Sequence, residues 1–192
     1  VKKALVAALI LAALIVPASA LAKVNGGQSP IGALVRSQTT FLAATTTTTS
    51  LQLSAKEQLV IDLINRERAK YGLQPVRAQL ALMKAARAHS AEMVQKRYFS
   101  HNSYNGDTFA QRDVRYGYAR TGFSSWAAGE NIAWGQGLLG TPQAIVDAWM
   151  HSTVHRQVIL TAKYRDCGVG IASGSYKSGA FFFTLDFGSR TK

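Results

Sequence analysis

The feature that most constrains this chain is a change of hydrophobic period along its length. In separate segments between Ser54 and Leu160 apolar residues recur every three or four positions. From Cys167 onward they run through β-branched and aromatic residues, Cys167 to Ala172 and Ala180 to Phe187, separated by a Gly/Ser/Tyr/Lys turn. Helices that precede a hairpin in this way predict an α+β layered domain of about 135 residues rather than alternating βαβ units. The order also predicts a mostly antiparallel sheet, because a hairpin pairs its two strands head to tail.

Local chemistry marks where the helices start. Ser54-Ala55-Lys56-Glu57 sets a hydroxyl three residues before a carboxylate, a reciprocal cap for a first helix. Leu59, Val60, Leu63, Ile64 and Glu67 then follow at helical spacing, Arg66, Arg68 and Lys70 take the other face, and Gly72 with Pro75 closes the segment. A second helix is predicted from Leu80 to Lys96, where Leu82, Ala86, His89 and Met93 oppose Lys84, Arg87, Gln95 and Lys96; its alanines imply close approach to another element. A third runs from Thr108 to Tyr116. A fourth begins at Thr141-Pro142 and buries Ile145, Val146 and Trp149, and a fifth covers Thr153 to Leu160. Gly129 to Gly135 supplies a further strand.

Composition excludes several classes. One cysteine, Cys167, permits no intramolecular disulfide and no Cys-based zinc finger, so an ordinary core must hold the fold. Cys167 itself reads as a small buried side chain, which predicts a monomer. The 22 Lys and Arg against 10 Asp and Glu give +12, scattered over helices rather than gathered with aromatics. Nucleic acid is therefore disfavoured as a partner, and an anionic envelope component suits the charge better.

At the N-terminus, Lys2 and Lys3 precede an apolar run from Ala4 to Val16, then Pro17 and Ala18-Ser19-Ala20. This order predicts a signal peptide over residues 1–20 and a secreted or envelope-associated protein, with an uncleaved membrane anchor as the lesser alternative. Residues 21–53, which include the threonine run 45–49, read as a flexible linker, and the domain follows over 54–190.

Four histidines need separating. His89 lies in the apolar period of the second helix and is expected to be packed and hydrogen-bonded to backbone. His151 falls where the fourth helix turns to solvent. His101 follows Tyr98-Phe99-Ser100 at a helix end, where an aromatic anchor would leave the imidazole facing a cleft. His155 comes three residues after Ser152, which suggests a nucleophile beside a base, although a helix cap is the preferred reading of that serine. Glu130 stands alone in the apolar segment 128–135, where an ionised carboxylate needs a partner, and a histidine is the expected one.

Five blocks occur in order: Ala85-Ala86-Arg87-Ala88-His89-Ser90-Ala91-Glu92-Met93 with Phe99-Ser100-His101, then Gly129-Glu130-Asn131-Ile132-Ala133, Trp149-Met150-His151-Ser152-Thr153-Val154-His155-Arg156, Gly168-Val169-Gly170, and Asp186-Phe187-Gly188. Together they resemble the bacterial branch of the CAP superfamily, or SCP domain, which joins cysteine-rich secretory proteins, insect venom antigen 5 and plant pathogenesis-related proteins. The resemblance spans about residues 54–188. It implies an α-β-α sandwich and a cleft holding two histidines and two acids. By position the histidines correspond to His101 and His155 and the first acid to Glu130, while the second acid's place falls near Ser152.

Two imidazoles are good zinc ligands, so His101 and His155, with Glu130 as a third ligand, form the candidate site for zinc or another divalent metal; the alternatives are that Glu130 orients an imidazole or a metal-bound water, or that the three form a metal-free hydrogen-bonded cluster. The function implied is an extracellular binding module for a lipid, peptide or envelope glycan; Tyr98, Phe99, Tyr104, Phe123, Trp126 and Trp134 could line a groove, with core packing the preferred reading of each. The alternative is a metal- or Glu130-assisted hydrolase, for which His101, Glu130, His155 and Ser152 are the catalytic candidates.

Overall fold

The computed structural model describes residues 51–192. The segment read as a signal peptide and residues 21–50 of the linker lie outside the described residues. The domain starts earlier than its helix cap: Leu51 and Leu53, assigned above to the linker, already rest on the main core.

The order is α1 (Ala55–Lys70), β1 (Arg77–Ala78), α2 (Leu80–Lys96), α3 (Phe109–Arg115), β2 (Ser125–Gly135), a 3-10 turn (Gly137–Gly140), α4 (Pro142–His151), α5 (Thr153–Ile159), β3 (Asp166–Ser173) and β4 (Phe181–Thr191). The strands form one sheet in the order β1-β3-β4-β2, in which only β1 runs parallel to its neighbour. This is the expected α+β sandwich with a mostly antiparallel sheet. The two-residue β1 is too short to carry a period and exists because Arg77 and Ala78 pair with Asp166 and Cys167.

Alternation along β4 separates the two faces. Phe183, Leu185 and Phe187 join Val60 and Ile64 of α1, Ile145 and Trp149 of α4, and Val158 of α5 in the main core. On the opposite face Thr184 receives a hydrogen bond from Ser90 of α2 at 2.9 Å. Here α2 lies directly on β3. A Cβ at Gly168 would stand 2.1 Å from the Leu82 carbonyl carbon, and one at Gly170 2.1 Å from the Ala86 carbonyl oxygen. The close approach expected from the alanines of α2 is thus completed by glycines on the strand.

The cap of α1 forms as expected, with Glu57 N–H donating to Ser54 Oγ at 3.3 Å and Ser54 N–H to Glu57 Oε2 at 2.7 Å. Two residues of α1 depart from their expected faces. Leu59 is 40% exposed and Arg68 is fully buried. The Arg68 guanidinium donates to the carbonyls of Gln74, Ile159, Thr161 and Tyr164 at 2.6–3.2 Å, so it satisfies the chain around the end of α5 instead of facing water. Cys167 is buried and free, and burial pushes its thiol up to about 12. No helix among the described residues is long and apolar enough to cross a membrane.

Candidate functional site

The site forms at β2, the outer strand of the sheet. Glu130 sits on the α2 side opposite Asp186 of β4, and the next residue, Asn131, points to the other side, where its amide donates to the His155 carbonyl at 3.0 Å. An edge strand lets groups from both faces meet around it, and this brings the His101 loop and α5 together.

The His101 loop leaves α2 through Arg97, in the left-handed conformation with φ 58°. Its aromatic anchors act as the sequence suggested: Tyr98 donates to Glu92 at 2.5 Å and Phe99 stands edge-on to Phe182 at 6.2 Å. His89, fully buried, donates from Nε2 to the Ser100 carbonyl at 2.8 Å. Burial lowers its pKa to about 4, so the ring is neutral near pH 7.

His101 Nδ1 then lies 2.7 Å from Glu130 Oε1. The other carboxylate oxygen accepts from Arg112 Nη2, and Arg112 Nη1 donates to the His101 carbonyl at 3.1 Å and Ser103 Oγ at 3.0 Å. Burial raises the pKa of Glu130, but the charge of Arg112 and the His101 hydrogen bond outweigh it and hold the carboxyl at about 2. Glu130 is therefore an anion clamped between a cation and an imidazole.

Arg112 is the group that sequence reasoning missed. A buried anion next to neutral rings requires a cation, and charge balance around Glu130 was the signal available.

Behind this pair lie Asp113 and Asp186, both fully buried, whose carboxyl groups face each other and, from Asp186, Glu130. Burial, reinforced by neighbouring carboxylates, pushes both well above the usual range. The negative charge of the cluster thus concentrates on Glu130, opposite Arg112.

His155, on α5, is 4% exposed, and its Nδ1 lies 2.8 Å from Ser152 Oγ. Burial, and then the charge of His101, lowers its pKa, consistent with the two rings being neighbours. Ser152 corrects the helix-cap reading: it stands at the cap position of α5 but gives the helix no side-chain hydrogen bond, because its hydroxyl is directed to the imidazole. No carboxylate contacts His155 to complete a nucleophilic triad among the described residues. His151 points to solvent, its side chain 79% exposed.

The expected three-ligand metal set does not form. Both Glu130 oxygens are occupied, and no group of three His, Cys, Asp or Glu side chains able to hold a metal occurs among the described residues. Glu130 orients His101 instead, the role a carboxylate has behind a ligating ring. That leaves the Nε2 atoms of His101 and His155, free of hydrogen bonds among the described residues, as two donors where a catalytic zinc takes three.

The aromatics proposed for a groove fall into two packed groups. Phe99, Trp134 and Tyr98 pack around Met93 and Phe182, whereas Trp126 pairs with Tyr118 in a separate cluster. Tyr104, 65% exposed, packs on Tyr98 with ring centres 5.8 Å apart, and Phe123 shares the Arg190 guanidinium with Tyr118.

Comparison with known proteins places this arrangement. The model of the CAP, cysteine-rich secretory protein family matches residues 61–187. YkwD of Bacillus subtilis (strain 168) is 43% identical over 133 residues, 68% of this chain and 48% of its own length. The membrane protein YlbC of the same organism is 31% identical over 62% of this chain and 32% of its own length. The chain thus spans about half or less of these relatives.

Among solved structures, an extracellular protein containing a SCP domain from Bacillus anthracis shares 26% identity and a TM-score of 0.55, over 74% of this chain and 45% of that one. An outer surface protein of Borrelia burgdorferi shares the fold with a TM-score of 0.56 at 21% identity, covering 70% of this chain and 92% of that one.

Proposed function

The chain belongs to the cysteine-rich secretory protein (CAP) family, and from that premise we propose that it is an extracellular binding module whose His101–His155 cleft holds a polar peptide or glycan of the cell envelope. The carrying observation is that the ionisable groups of the cleft are committed to one another. Glu130 is clamped by His101 and Arg112, while Ser152 is spent on His155, which leaves two oriented imidazole nitrogens to meet a ligand. Such a pair recognises hydroxyl and amide groups by hydrogen bonds. A carboxylate held at about 2 is a poor proton acceptor at neutral pH, which counts against a Glu130-driven hydrolase.

The division of the aromatics between two packed groups, instead of one continuous apolar groove, favours peptide or glycan over lipid. An extracellular location is supported by the signal-like order of residues 1–20 and by the extracellular Bacillus anthracis relative. Histidine-ring NMR during titration with soluble cell-wall glycopeptide fragments tests the reading. Saturable shifts at His101 and His155, lost in His101→Ala and in His155→Ala, are expected without turnover. Absence of binding defeats the proposal, and multiple-turnover cleavage that needs both histidines replaces it with the hydrolase.

A further inference from the structure

A concavity lies between α2 and α3, behind the groups that hold the His101 loop, and it shares His89, Ser103 and Arg112 with them. Its volume is about 220 Å3, and its lining includes Glu92, Gln95, Lys96, Arg112, Arg115 and Tyr116. At about 30 Å3 per water, it has room for a group larger than a bare phosphate. The charges of this wall are unequal. Glu92 is its one carboxylate and is already committed, accepting from the Tyr98 hydroxyl at 2.5 Å and the Tyr104 backbone at 3.0 Å. Three cations share the lining with it, although Arg112 is already paired with Glu130.

Lys96 makes no ion pair among the described residues and rests 5.4 Å from the Tyr104 ring centre. Arg115 spends one bond, 2.8 Å long, on the partly exposed Asp107. Arg112 is 1% exposed, yet its Nε has no hydrogen-bond partner among the described residues. A buried guanidinium N–H left unpaired at a cationic concavity is a donor without its acceptor. The Gln95 amide, also in the lining, adds further donor capacity.

We propose that this cavity binds a small organic anion carrying a phosphate or carboxylate group, with Lys96 and Arg115 at the rim and the Arg112 guanidinium behind them. Such an anion supplies the acceptors that the wall lacks, and guanidinium groups suit both head groups through paired hydrogen bonds. The proposal does not rest on a ligand at His101 and His155, although Arg112 also clamps Glu130.

Amide NMR titrations of the protein with inorganic phosphate and with citrate, at constant ionic strength set by sodium chloride, test it. Saturable shifts at Gln95, Lys96, Arg115 and Tyr116 with at least one probe are expected, and the stronger probe identifies the head group. Lys96 and Arg115 are exposed, so the Lys96→Glu/Arg115→Glu variant keeps its fold, verified by an unchanged spectrum elsewhere, and weakens binding by about tenfold or more. Shifts that never saturate with either probe, that spread over the basic surface, or that persist at full affinity in the double variant overturn the proposal.

Discussion

Replacing Glu130 with glutamine keeps the side chain's shape and removes the carboxylate paired with Arg112. Removing one member of a buried ion pair typically costs about 3–5 kcal/mol, because the other charge is left without compensation. The pKa gives an independent route to the magnitude. A carboxyl that titrates at about 2 when folded, against an ordinary 4.5, contributes about 3 kcal/mol to stability by linkage. Both figures are large against the roughly 5–15 kcal/mol of a typical domain.

The sign follows from the lowered pKa: the contribution is complete above pH 4.5 and disappears as pH falls through about 2. Urea unfolding followed by tryptophan fluorescence at pH 7 is the assay, on Glu130→Gln, Arg112→Met and the double variant. Each single change is expected to lose about 3–5 kcal/mol, and the double variant at least about 2 kcal/mol less than the sum, since neither charge is then stranded. A Glu130→Gln protein within about 1 kcal/mol of the parent, with an unchanged denaturant slope, would refute the ion-pair account of the cleft.

Two further outcomes concern the neighbours of this pair. Burial keeps the folded-state pKa of His89 at about 4 against 6.5, so its contribution is whole above pH 6.5 and lost as pH falls through 4; melting curves should show the parent losing about 3 kcal/mol across that window relative to His89→Gln, and parallel pH profiles would contradict this. Asp113 is shifted the opposite way, so its contribution is present below its ordinary 3.8 and lost as pH rises. Asp113→Asn should therefore gain melting temperature relative to the parent between pH 4 and pH 9, and a constant difference would show that this carboxyl does not resist ionisation.

Sequence and structure agree where the determinant is local. Ser54 with Glu57, and Thr141 ahead of Pro142, announce helix starts through bonds spanning three residues, and α2 runs over the residues that its period marks. The isolation of Glu130 in an apolar strand likewise signals that a partner must exist. Where the determinant lies far along the chain, the pattern is silent. Arg68 looks like one charge on a polar helix face until the carbonyls of Ile159 and Tyr164, more than ninety residues away, supply its acceptors. Arg112, next to Asp113 in the seven-residue α3, carries no local mark of its contact with β2. Ser152 shows a different ambiguity, since one spacing serves both a helix cap and a hydroxyl–imidazole contact and only the side-chain torsion selects between them.

At Gly168 and Gly170 the separation between α2 and β3 is set by main chain against main chain. Most helix–sheet interfaces are cushioned by side chains, which can exchange volumes and let a helix settle or roll by fractions of an ångström. At these two positions there is no such cushion, and sequence drift can alter the spacing only by adding atoms. His89 is one turn beyond Ala86 and holds Ser100, the residue before His101. The height of the cleft's first imidazole above the sheet is therefore inherited from a main-chain spacing, with Glu92 of the same helix holding the loop that carries it.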